Sequence, residues 1–321
     1  MLNGWGAAKL KPALYLCAPV DNKTKAHLAL LGTNILYGAG YSIAKYIMPR
    51  LIEPLGFIFI RAGAVALLFW LSYFLGSNYR ATISKKDWGV LVLGGLFGVA
   101  VNQMLFFLGL NLTMPIHASL VMMSTPLLIT VAALIILRER IGRNKLIGLL
   151  LGIAGAVLLM SAGRELTNAG TNTALGDILV FFNAASYAIY LVIIKPLMQR
   201  YRPLIVIRWV FLFGFMFVLP FGWQQFADIQ WQQFTLPDYA ALAFTVIGTT
   251  FLAYLWNIYA LSHLSASTAG AYIYLQPFFA GIISVIFMGE AVTLAKIFAA
   301  VLIFAGVYLV NFGQRKKELK Q

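Results

Sequence analysis

The sequence predicts an all-α polytopic membrane protein, with ten transmembrane helices arranged as two inverted five-helix repeats. Three observations carry this. Of the 321 residues, 61% are hydrophobic and 11% charged. A soluble protein carries about 25% charged residues, so no water-facing surface of ordinary polarity can be assembled here. The apolar residues recur in stretches of roughly 20, the length that crosses a hydrocarbon core about 30 Å thick. The second half of the chain also repeats the first.

In order, residues 1–25 read as a cytoplasmic tail. Lys9, Lys11, Lys23 and Lys25 flank an apolar run at 13–20 that is too short for a signal peptide and lacks its small-residue cleavage site. Ten apolar stretches follow at 26–48, 54–76, 88–110, 115–137, 145–162, 175–198, 203–222, 239–261, 266–288 and 293–312. A basic tail, 313–321, is also expected in the cytoplasm. The longest connection runs from Trp223 to Asp238, which leaves no room for an inserted soluble catalytic domain.

Orientation follows from the basic residues, which concentrate on the cytoplasmic side of membrane proteins. With the N-terminus inside, 18 of the 24 Lys and Arg fall on cytoplasmic segments and three outside (Arg50, Arg164, Lys296), while Lys45, Arg61 and Arg208 lie within helices. Both termini are expected in the cytoplasm of a cell membrane, such as a bacterial inner membrane. Spread along every inner edge, the formal charge of +14 offers no patch for nucleic acid. A single cysteine, Cys17, excludes intrachain disulfides. His27, His117 and His263 are scattered without acidic partners at ligand spacing, so neither a metal site nor a catalytic cluster is expected.

A shift of 151 residues superposes Asp87 on Asp238, Leu110 on Leu261, Pro126 on Pro277, Glu139 on Glu290 and Gly155 on Gly306. Nearer the start of each half the offset is 147 to 150, aligning Asn34 with Asn183, Tyr41 with Tyr190, Lys45 with Lys195 and Arg61 with Arg208. The repeats span 26–162 and 175–312. Because five is odd, the second copy enters the membrane from the opposite side. The basic loop around Arg138, Arg140, Arg143 and Lys145 accordingly keeps only Lys296 in its counterpart around Glu290.

Each copy carries a proline within a helix, a glutamate thirteen residues later and a glycine-bearing helix. These read Ser124-Thr125-Pro126-Leu127, Glu139, Gly148, Gly152 and Gly155, then Leu275-Gln276-Pro277-Phe278, Glu290 and Gly306. The doubled arrangement resembles the EamA family of the drug/metabolite transporter superfamily, over about residues 27–312. The resemblance implies a ten-helix transporter of small metabolites with a central cavity and no bound cofactor. Export of amino acids or related small solutes is the expected activity. Its partners would be the small-molecule substrate and the lipid bilayer, as a monomer or homodimer; a non-transporting scaffold or lipid-binding protein on the same fold is the competing expectation.

Polar residues inside the helices mark the candidate pathway. Asn34, Tyr37, Tyr41 and Lys45 share one face of the first helix, and Asn183, Tyr187 and Tyr190 repeat it on the sixth. Asn102, Gln103 and Phe106 mark the third helix, Thr250, Tyr254 and Asn257 the eighth, and Tyr272 with Gln276 the ninth. Polar groups facing lipid would go unsatisfied, so these stripes face water or other helices, as cavity lining or as hydrogen-bond glue. Lys45 and Arg61 lie toward one side and Lys195 and Arg208 toward the other. They could snorkel to headgroups, form ion-pair gates with Glu290 and Glu139, or bind substrate. Pro126 and Pro277 are candidate hinges.

Overall fold

The computed structural model describes residues 21–75, 82–112, 118, 121–122, 124–138, 142–161 and 173–280, with scattered positions from 282 to 309. Among these there is no strand. The helices are α1 (Asn22–Ile47), α2 (Pro54–Leu75), α3 (Lys85–Leu112), α4 (Thr125–Ile136), α5 (Arg143–Ser161), α6 (Thr173–Met198), α7 (Pro203–Ala227), α8 (Leu236–His263) and α9 (Ala266–Ala271). A 3-10 turn, Tyr272–Leu275, extends α9. Among the described residues, five segments are long and apolar enough to cross a membrane: Pro54–Ser72, Lys85–Leu112, Ile178–Met198, Pro203–Ala227 and Leu236–His263. Most of the expected tenth helix lies outside the described residues.

Local chemistry sets the helix starts. Pro203 opens α7 directly after Arg202 in an extended conformation, where the missing N–H has no intrahelical partner to lose. α8 begins with a capping box in which Thr235 and Asp238 satisfy each other's backbone and side-chain groups. α1 already starts at Asn22, so residues 22–25, expected in the tail, form its first turn. Pro126 requires a correction too: it lies in the first turn of α4, after a turn at Ser124, rather than within a continuous helix. Pro277 likewise follows the 3-10 turn, where the helix resumes.

The helices pair across the two halves. α1 packs on α8, α3 on α6, α2 on α7 and α4 on α9. Exchange the halves, and this set of pairs maps onto itself. Glycines permit the closest approaches: a Cβ on Gly214 of α7 would lie 2.4 Å from Cβ of Val99 on α3, and one on Gly306 would lie 2.6 Å from the carbonyl oxygen of Gly148 on α5.

Side-chain contacts fix the directions. Lys45, near the end of α1, donates to the carbonyls of Leu110 and Asn111 at the end of α3. Arg200, just past the end of α6, bonds Asp87 at the start of α3. α1 and its repeat mate α6 therefore run in opposite directions, as an inverted repeat requires.

α3 and α8 each carry a widened π-helical stretch, Leu96–Ala100 and Phe244–Leu252. The 151-residue shift places the first within the second. Such stretches release backbone carbonyls from regular i to i−4 bonding and concentrate at functional sites.

Candidate functional site

Between the halves, level with the π-helical stretches, lies a cavity of about 100 Å³. One probe-sized water needs about 10–15 Å³ on this measure, so the space admits several waters or a small solute. Its wall comes from α1, α2, α3, α6, α8 and the turn after α9. Among the described residues, no carboxylate lines it.

Arg61 of α2 is the cation in this wall, and its residue is only 5% exposed. Its position departs from the snorkelling arrangement, because the guanidinium turns inward. Nε donates to Thr250 Oγ1 at 2.9 Å, and Nη2 donates to Thr250 Oγ1 at 2.7 Å and Thr249 Oγ1 at 3.3 Å. The two hydroxyls donate their own protons to the Thr245 carbonyl, at 2.8 and 2.7 Å, which leaves their lone pairs to accept from the arginine. The π-helical stretch makes this possible, since both side chains reach one carbonyl. The ring of Phe107 covers the guanidinium at 4.5 Å.

The repeat mate, Arg208, is equally buried but lies against the indoles of Trp70 and Trp209, at 5.3 and 5.7 Å, outside the cavity wall. The shift by 151 explains the difference. Where α8 has Thr245, Thr249 and Thr250, α3 has Gly94, Gly98 and Val99, and the hydroxyl cradle is missing.

Of the candidate pathway residues, Tyr37, Tyr41, Asn102, Gln103, Asn183, Tyr187, Tyr254 and Gln276 line the cavity. Tyr41 donates to Gln276 Oε1 at 3.1 Å, and Gln276 Nε2 donates to Asn34 Oδ1 at 2.9 Å. Asn183 Nδ2 donates to the Asn102 carbonyl at 2.7 Å, with the reverse bond at 3.4 Å. Tyr254 donates to the Gly98 carbonyl at 2.7 Å, within the π-helical stretch of α3.

The structure sets the other four behind the wall. Asn34 supports Gln276, Asn257 donates to the Tyr187 hydroxyl, and Tyr272 meets His27 Nδ1 at 2.6 Å. Tyr190 packs its ring on Gly98, where an added Cβ would lie 2.3 Å away. Sequence reasoning missed Thr245, Thr249, Phe107 and Met122 as lining. Thr245 and Thr249 share a helical face at i, i+4, so part of the signal was present.

At the two ends of the bundle lie ion pairs that the sequence reading did not select. Arg50, after α1, donates to Asp238 Oδ1 at 2.5 Å; Arg200, after α6, donates to both carboxylate oxygens of Asp87, at 2.7 and 3.0 Å, and Tyr201 adds a bond at 2.8 Å. In both pairs the aspartate is buried and the arginine half-exposed. Asp87 and Asp238 are repeat mates, and so are Arg50 and Arg200 at an offset of 150. Because Asp87 opens α3 while Lys45 meets its far end, the two pairs lie at opposite ends. Glu139 and Glu290, the anions expected in such gates, lie outside the described residues. Lys45 instead caps the last carbonyls of α3, and Lys195 is half-buried near the end of α6.

Residues 24–161 and 174–312 each match the EamA-like transporter family. Among curated proteins, the chain is 26% identical to the uncharacterized transporter YyaM of Bacillus subtilis, over 88% of this chain and 92% of that protein. It is 26% identical to an uncharacterized transporter of Archaeoglobus fulgidus, over 91% and 99% of the two chains. Protein WALLS ARE THIN 1 of Arabidopsis thaliana is 25% identical, over 93% and 85%. A solved crystal structure at 21% identity superposes with a TM-score of 0.70, covering 91% of this chain and 98% of the other, and so shares the fold.

Proposed function

The chain belongs to the EamA-like transporter family, and from that premise we propose that it carries small solutes across a membrane by alternating access of two inverted five-helix repeats, ten helices in all. The cargo is a small metabolite and export is the direction. The observation that carries the mechanism is the central cavity together with a repeat-related Arg–Asp pair at each end of the bundle. Breaking Arg50–Asp238 opens one mouth, and breaking Arg200–Asp87 opens the other. Inverted repeats allow the two halves to exchange conformations, so that one site meets each side in turn.

The basic residues support an orientation. Lys23, Lys25, Lys85, Lys86, Arg200 and Arg202 cluster at the Arg200 end, which faces the cytoplasm on this reading, most simply at a bacterial inner membrane. Arg50, Glu53, Asp228 and Asp238 mark the outer end.

The test is flux in liposomes containing only this protein, with Cys17 removed and paired cysteines at positions 50 and 238, or at 87 and 200. Oxidation of either pair should stop flux, and reduction should restore it. Undiminished flux with both pairs oxidised sinks the mechanism.

A further inference from the structure

We propose that the cavity selects a small organic monoanion, with Arg61 holding its carboxylate; what the bound anion is for rests on the transport reading above. Arginine does not deprotonate in proteins, so this wall carries a permanent positive charge. Within the described residues, Arg61 has no carboxylate partner, and its hydrogen bonds run only from Nε and Nη2 to two threonine hydroxyls. Those neutral dipoles and the Phe107 ring orient the guanidinium without neutralising it. An ionisable side chain so deep in a membrane protein marks a functional site by default. Nη1 has no hydrogen bond to these threonines and remains for a ligand, in a wall that also includes Tyr37 and Asn102.

Charge arithmetic narrows the class. A cation would meet Arg61 with no anion among the described wall residues to hold it. A neutral solute would leave the charge uncompensated, and a zwitterion would add an ammonium group without a partner. A dianion needs a second cation, yet Arg208, the repeat mate, lies outside the wall. One negative charge matches. The rest of the wall suits a ring or a short polar body: Phe106, Phe107 and Tyr187 supply aromatic faces. Both amide atoms of Gln103 and the Oδ1 of Asn183 are buried without a protein hydrogen-bond partner, ready for a substituent.

The experiment uses the purified full chain. Thermal stabilisation and binding are measured with benzoate against benzamide and lactate against lactamide, with phenylalanine, phthalate and benzylamine as zwitterion, dianion and cation. The monocarboxylates should bind at least about thirtyfold more tightly than their amides, the scale of a buried charged hydrogen bond. Arg61→Gln should erase that preference, and Arg61→Lys should keep part of it. Equal binding of acid and amide, preference for the amine, the dianion or the zwitterion, absence of any shift with either carboxylate, or a preference that survives Arg61→Gln each overturns the proposal. Should Arg61→Gln fail to fold, the wild-type comparison of acid with amide decides alone. Uptake into proteoliposomes separates the two readings. Arg61-dependent binding without flux keeps the anion site and removes the carrier; flux of benzylamine or benzamide without flux of the acids does the reverse.

Discussion

Two buried tyrosine hydroxyls near the cavity respond in opposite ways to loss of the same atom. Tyr254 donates to the Gly98 carbonyl, whereas the Tyr190 hydroxyl is buried with no hydrogen-bond partner. A net intramolecular hydrogen bond contributes about 1 kcal/mol, and an unsatisfied buried polar group costs about 1–3 kcal/mol. Tyr254→Phe should therefore lower the midpoint of thermal unfolding, while Tyr190→Phe should leave it unchanged or raise it, with flux intact. Gln276→Leu strands both Tyr41 and Asn34, and its cost should exceed that of Tyr254→Phe in the same measurement. The polar stripes were legible in the sequence because a hydroxyl or amide among apolar residues needs a reason. Which of them face space was not. Tyr41 and Tyr190 are repeat mates, yet Tyr41 lines the cavity while the Tyr190 ring packs on Gly98.

At the scale of elements, small residues and irregular helix set the geometry around the cavity. Gly214 of α7 meets Val99 in the π-helical stretch of α3, and an added Cβ would also lie 3.1 Å from the Gly95 carbonyl oxygen. Gly214→Val should destabilise the protein by about 1–3 kcal/mol, the usual penalty for overpacking, read as loss of folded protein on heating. Thr250→Val removes the hydroxyl that accepts from both Nε and Nη2 of Arg61 while keeping the volume. It should weaken benzoate binding more than it lowers thermal stability. Hydropathy located α2, α3, α7 and α8 closely because length and apolar content alone define a span. It was blind to the π-helical stretches, since one added residue per turn leaves composition unchanged. It also misread Pro126 and Pro277, because a proline in an apolar run marks an irregularity without telling a kink from a restart.

For the molecule as a whole, the inverted arrangement is the property to test first. With Cys17 removed, cysteines placed at Glu53, after α1, and at Gln199, after α6, both exposed, should react with an impermeant thiol reagent from opposite faces of intact vesicles. Labelling of both from one face would contradict the opposed directions of α1 and α6. The repeat was readable because paired landmarks survive at a constant spacing; Asp87 and Asp238 were visible as mates, but their arginines sit at an offset one residue shorter and pair across the halves rather than within one. The same two pairs have a kinetic consequence. On the proposed transport reading, an Arg–Asp gate at each mouth gives neither half-cycle a lock of a different kind, and the electrochemical gradient of the solute sets the sign of net flux. Half-saturation concentrations measured in right-side-out and inside-out vesicles should be comparable, and solute preloaded on either side should accelerate entry from the other.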